Sequence, residues 1–160
     1  MKKNILIILV VLIVIITLNI GVISFNNNKN IDIDIKKLAD DLKNAQIFED
    51  NLSQIDRSSI IKKYEFDNNQ ITEIISYLGT GATAEEILIM EVSDEKYVKE
   101  IEDKIKSKME ENKINFQNYL PKEVYKLENY ILESKGKYIV LCVSNDYDKT
   151  KEIINKYFNN

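Results

Sequence analysis

Histidine and tryptophan are absent from this 160-residue chain, and cysteine, proline and arginine occur once each, at Cys142, Pro121 and Arg57. Each shortage removes a class of chemistry. A single cysteine cannot form an intramolecular disulfide. With no histidine beside it, the usual zinc-site spacings are excluded, because they need several nitrogen or sulfur ligands. No metal site and no cofactor are expected. Four glycines and one proline leave little room for long linkers or low-complexity arms. The fold must rest on ordinary core packing, which a 44% hydrophobic and 30% charged composition permits in a single domain.

Acidic residues are missing from one region only. Residues 1–25 carry Lys2 and Lys3 and no Asp or Glu, so the remainder holds 20 basic against 26 acidic side chains, a net of −6. A surface of that sign repels phosphates, and nucleic acid is not an expected partner.

The same region holds the longest apolar run. Residues 5–16 are unbroken, and residues 17–25 continue the run with Thr17, Asn19, Gly21 and Ser24 diluting it. As a helix, residues 5–25 would rise about 30 Å, the thickness of a bilayer's hydrocarbon core. Lys2 and Lys3 favour keeping the short end in the cytoplasm. The expected organisation is a cytoplasmic stub at 1–4, a transmembrane anchor at 5–25, a spacer at 26–33 and an extracytoplasmic domain at 34–160. This describes a single-pass protein of the cell membrane, partnered with the membrane through its N-terminal helix. A cleaved signal peptide is the rival reading, with a cut after Ser24. No Ala-x-Ala pattern supports it, and the run is long for such a peptide. No cysteine follows the run, so lipid attachment is excluded. Both readings export the remainder.

In that remainder, Asp34 can cap a helix with Ile35, Leu38, Leu42 and Ala45 on one stripe, and Asp56 a shorter one with Ile60, Ile61 and Tyr64. Residues 71–79 and 86–92 read as strands joined by the Gly-Thr-Gly-Ala-Thr turn at 79–83. Asp94 opens a long helix with Val98, Ile101, Ile105, Met109 and Phe116 facing inward, and Pro121 breaks it. A third strand is expected at about residues 124–133 and a fourth at 138–143, with a turn near Gly136. Asn145 or Asp146 then caps a terminal helix carrying Tyr147, Thr150, Ile154 and Phe158.

The pattern is strand-strand-helix twice over. Leu88, Met90 and Val92 recur as Ile139, Leu141 and Val143 at a fixed offset, and both runs end Val-Ser. The expected fold class is α+β: duplicated β-β-α units forming a four-stranded, mainly antiparallel sheet. Two long helices would lie on one face, with the N-terminal helices added. Alternation sends Ile87, Ile89, Tyr138, Val140 and Cys142 to the second face. That face is too apolar for water, so either the early helices cover it or a partner does. Ile87, Ile89, Tyr138 and Val140 are therefore candidate partner-surface residues, with a protein of the cell envelope as the possible partner.

Other constellations read as ordinary structure. The 79–83 loop lacks the Lys-Ser/Thr and trailing helix of a phosphate cradle. Cys142 has no base or cation to activate it and reads as a small buried hydrophobe. The pairs Glu85-Glu86, Asp40-Asp41 and Glu110-Glu111 read as solvated charges, because adjacent side chains diverge. Asp146 and Asp148 resemble the opening of a calcium loop that nothing completes, so helix capping is the better account. Tyr77, Tyr125, Tyr130 and Tyr138 are placed on strands, packed with hydroxyls at the rim. No catalytic residue is identified.

Several of these residues also carry a resemblance. Ile55-Asp56, the stretch from Tyr77 to Gly81, Ala84 through Ile87, the long charged helix, Phe116 with Tyr119-Leu120-Pro121, and Lys135-Gly136 with Tyr138 stand in this order. Together they resemble an uncharacterised bacterial family, a domain of unknown function common in clostridia and related Firmicutes. The resemblance runs from about Asp34 to Phe158 and implies an exported domain held at the membrane. Many members carry a lipobox cysteine, which this sequence lacks, so its tether would be proteinaceous. The family offers no activity or catalytic residue to carry over. The leading expectation is a noncatalytic protein-interaction module at the cell envelope. A small-ligand binder using Tyr77, Gly79, Thr80 and Gly81 is the alternative, and a carboxylate-only hydrolase comes third.

Overall fold

The computed structural model describes residues 32–159. The expected anchor and all but the end of the spacer lie outside that span. No helix among the described residues is long and apolar enough to cross a membrane. Helix α1 spans Ile35–Lys43, and the Asp34 carboxylate caps it by accepting from the Lys37 amide at 2.9 Å. Its buried stripe is Ile35, Leu38, Ala39 and Leu42. Ala45 falls beyond its end. Strand β1 (Ser53–Gln54) follows, then α2 (Arg57–Tyr64), capped by Asp56 through the Ser59 amide. Strands β2 (Ile71–Leu78) and β3 (Glu86–Val92) form the next hairpin. Asp94 then starts a 3-10 turn that leads into α3 (Val98–Tyr119). A 3-10 turn at Pro121–Glu123 opens α4 (Val124–Glu128), and β4 (Ile131–Lys135), β5 (Tyr138–Val143) and α5 (Tyr147–Phe158) complete the order. Asp146 is the cap of α5, accepting from the Lys149 amide.

These elements build an α+β unit that begins at Ile33. Its sheet has five strands in the order β1-β2-β3-β5-β4, every neighbouring pair antiparallel. The fifth strand, β1, is two residues long and has no apolar alternation, so no periodic pattern could have marked it. The expected third strand is corrected as well. Residues 124–128 are helical, with Pro121 at the first position of the preceding turn, where its missing N–H costs nothing. Tyr125 therefore sits exposed on a helix rather than on a strand.

Two long helices do not share a face. Leu88, Met90, Val92, Ile139, Leu141 and Val143 lie together on one side, as their alternation implies, against Ile101, Ile105 and Met109 of α3, Ile60 and Tyr64 of α2, and Leu127 of α4. Helix α5 instead joins α1 on the opposite side, where Lys37 and Asp41 of α1 meet the Tyr157 hydroxyl of α5. Connectivity explains the separation. Strands β3 and β4 flank β5 and run parallel to each other, so α3 belongs to a crossover whose handedness selects one face. Helix α5 ends the described chain with no return strand and is free to cover what remains. The halves are thus not duplicates in space.

The second sheet face is closed by this arrangement. Ile87, Ile89 and Val140 are fully buried and Tyr138 nearly so. As a partner surface these four are corrected: α1 and α5 already cover them, at about 1.5–3 kcal/mol gained per buried aliphatic side chain. Of the two early helices, only α1 serves this face.

Candidate functional site

One end of the sheet gathers an unusual amount of charge. Glu85 precedes β3, Glu123 ends the 3-10 turn before α4, and Lys126 lies on α4, one helical turn further on. Their side chains are 0, 2 and 4% exposed. The Lys126 ammonium reaches Glu85 Oε1 at 2.9 Å, Glu123 Oε2 at 3.1 Å and the more exposed Glu49 at 3.4 Å. Glu85 is further held by backbone: Oε1 accepts from the Glu49 amide and Oε2 from the Asp50 amide, each at 2.9 Å. Glu123 Oε2 accepts from the Ala84 amide at 3.1 Å. Burial pulls the Lys126 pKa down, but hydrogen bonds to Glu85 and Glu123 more than reverse this and hold it above the ordinary lysine value.

A third buried carboxylate, Glu86, lies beside Glu85. Glu86 accepts from the Tyr64 hydroxyl and the Lys63 ammonium, both at 2.7 Å. Burial first, then the Glu86 charge, raise the Tyr64 phenol well above its usual range. Tyr64 stacks on Phe66 with ring centres 5.1 Å apart. The expectation that Glu85 and Glu86 are solvated is therefore corrected. They do diverge, Glu85 toward α4 and Glu86 toward α2, but each finds a cation inside the molecule. Asp40, Asp41, Glu110 and Glu111 are exposed, as solvated charges should be.

The glycine loop belongs to the same end. Asp50 Oδ2 accepts from the Thr80 amide and the Thr80 hydroxyl, both at 2.7 Å, while the Gly79 amide donates to the Glu85 carbonyl. These bonds, that from the Thr80 hydroxyl foremost, hold the Asp50 carboxyl below its usual range. A Cβ on Gly79 would stand 2.8 Å from Thr83 Oγ1 and 3.0 Å from Asp50 Oδ2, which explains glycine there. Gly81 has a φ of +89°, a conformation side chains disfavour.

Tyr77 lies apart from that loop. Its buried ring packs under the Lys43 ammonium at 4.4 Å, beside an open groove of about 430 Å³ that Ala39, Asp40, Glu73 and Ile75 also line. Gly79, Thr80 and Gly81 do not reach this groove. Cys142 is buried against α5, where burial raises its thiol pKa and leaves it unreactive.

Chemically, the cluster is a clamp. Both oxygens of Glu85 are occupied by amides and an ammonium, so the network ties the 44–52 loop, the 79–85 loop and α4 together. Sequence reasoning missed it because each acid is an unremarkable charge until α4 brings Lys126 over it. The available signal was Lys126 itself, three residues after Glu123 in an otherwise apolar turn of helix.

No curated protein and no solved structure matches the chain. A family model, described as a domain of unknown function (DUF4358), matches residues 45–144, a span that encloses Glu49, Asp50, Glu85, Glu86, Glu123 and Lys126, and the chain belongs to that family.

Proposed function

We propose that this chain is a membrane-anchored extracytoplasmic domain of a Firmicutes cell envelope, with a noncatalytic, protein-interaction role. The observation that carries the noncatalytic part is the closed pairing of Glu85, Glu123 and Lys126. A general acid or base needs a carboxyl open to substrate, whereas these groups are spent on each other and on backbone amides. The anchor rests on the uncharged run at residues 5–25 behind Lys2 and Lys3. Reporter fusions at the C-terminus of the full chain test placement: activity only outside the membrane is expected, and activity only in the cytosol overturns it. For the role, site-specific crosslinking from exposed positions in intact cells should give a discrete protein adduct. A turnover lost on Glu123→Gln without loss of folding would replace interaction with catalysis.

A small-ligand role is the second reading, favoured by the groove beside Tyr77. A ligand-induced rise in melting temperature that Tyr77→Ala removes would support it.

A further inference from the structure

The two edges of the sheet are finished differently. At the β1–β2 edge, β1 covers only Tyr77 and Leu78, the register shifts between Ile71 and Glu73, and the Arg57 guanidinium donates to the Ile71 carbonyl at 2.6 Å. A short strand, a bulge and a blocking cation are the usual devices against strand-to-strand association. Strand β4, at the opposite edge, has neither the truncation nor the bulge, and its two charges, Glu133 and Lys135, are of opposite sign. It pairs with β5 over all five residues without a register shift and contains no proline.

Register shows which groups β4 leaves open. The Val92 amide donates to the Lys137 carbonyl, so the odd-numbered residues of β5 turn their backbone toward β3. Its even-numbered residues therefore bond to β4, pairing Tyr138 with Lys135, Val140 with Glu133 and Cys142 with Ile131. Leu132 and Ser134 consequently point their N–H and C=O groups outward, and among the described residues no strand meets them. Only another extended backbone matches that spacing.

We propose that β4 pairs antiparallel with β4 of a second copy, about a twofold axis through Ser134, to give one continuous ten-stranded sheet. The register follows from two conditions. An axis at Ser134 sets the outward-facing Ser134 opposite Ser134 of the other copy, while Leu132 falls opposite Gly136, the turn residue whose φ of +55° ends the extended backbone there. It also places Glu133 opposite Lys135, twice, so opposite charges meet across the seam. An axis at Glu133 fails on both counts, opposing two glutamates whose backbone groups already bond to β5. Glu133 also pairs with Lys151 of α5 in its own chain, so the seam charge is shared within each copy. The proposal is independent of the anchor.

Two substitutions in the full chain, purified in mild detergent, test it. Ser134→Pro removes an N–H that no intrachain bond uses, so the fold should survive by circular dichroism while dimerisation weakens more than tenfold by sedimentation. Ser134→Cys places two Cα atoms about 5.5 Å apart across the axis, within disulfide reach, so mild oxidation should give a covalent dimer. Lys122→Cys, on a distant exposed turn, should not. A chain that stays monomeric at all concentrations overturns the proposal. So does a dimer that Ser134→Pro leaves intact and Ser134→Cys fails to crosslink, or a different polypeptide captured on β4 of a monomer.

Discussion

At Lys126 the stakes of a single side chain are highest. Removing the ammonium leaves Glu85 and Glu123 buried, charged and facing each other, and breaking a buried pair in this way costs about 3–5 kcal/mol. Lys126→Met should therefore lower urea stability by that order, while Glu49→Gln, at the exposed rim, should change it by less than about 1 kcal/mol. Equal effects would mean that the cluster is solvated. A smaller change runs the other way. Ser76 is 1% exposed on the sheet face that α2 and α3 cover, and its hydroxyl has no partner. An unmade buried hydrogen bond costs about 1–3 kcal/mol, so Ser76→Ala should be neutral or stabilising by about 1 kcal/mol in the same measurement. Neither position announces itself in sequence. Glu85-Glu86 resembles any surface pair, and Ser76 resembles any solvent-facing residue of an alternating strand. Burial is decided by what packs above them, and local spacing carries no record of it.

Among the elements, those with a period were legible and those without one were not. Asp34, Asp56 and Asp146 mark helix starts because a short acceptor can meet free amides there, and each cap is in place. Strands β2, β3 and β5 declare themselves by runs of branched side chains. Helix α4 does not, since Val124, Tyr125 and Leu127 suit a strand equally well, and the deciding fact is that Pro121 opens a turn. Helix faces were illegible for another reason: the offset between Leu88 and Ile139 reports which side chains share a face, and says nothing of which helix covers it. The loop at 79–85 makes a prediction of its own. Gly79→Ala forces Thr83 and Asp50 apart, and tight overpacking typically costs about 1–3 kcal/mol. Amide exchange should quicken across residues 79–85 and 49–50 together, because Asp50 and Glu85 join the two loops. Exchange confined to residue 79 would show the loops to be independent.

The whole molecule integrates its titrating groups into a pH window. Asp41, through its hydrogen bond from Lys37, and Asp50, through those from Thr80, have folded pKa values below their unfolded ones. Their stabilisation is complete above about pH 4 and is lost as pH falls through the folded values. On the alkaline side the shifts are upward. Cys142 and Tyr64 are raised by burial, and Lys126 is raised by its carboxylates against burial. Such groups contribute fully below their unfolded pKa values and lose that contribution as pH rises toward the folded ones. The unfolded thiol ionises first, near pH 8.5, ahead of tyrosine and lysine at about 10. Stability should thus be level from about pH 5 to 8 and then fall, with Cys142 setting the onset. At pH 9.5 the unfolded thiolate alone withdraws about 1.4 kcal/mol. Cys142→Ala, although less stable at pH 7 for the small cavity it leaves, should hold its stability to near pH 10. Urea midpoints at half-unit pH steps measure this directly, and an onset unmoved by the substitution would assign the alkaline limb to the raised tyrosines, Tyr64, Tyr130 and Tyr157, and the Lys126 cluster instead.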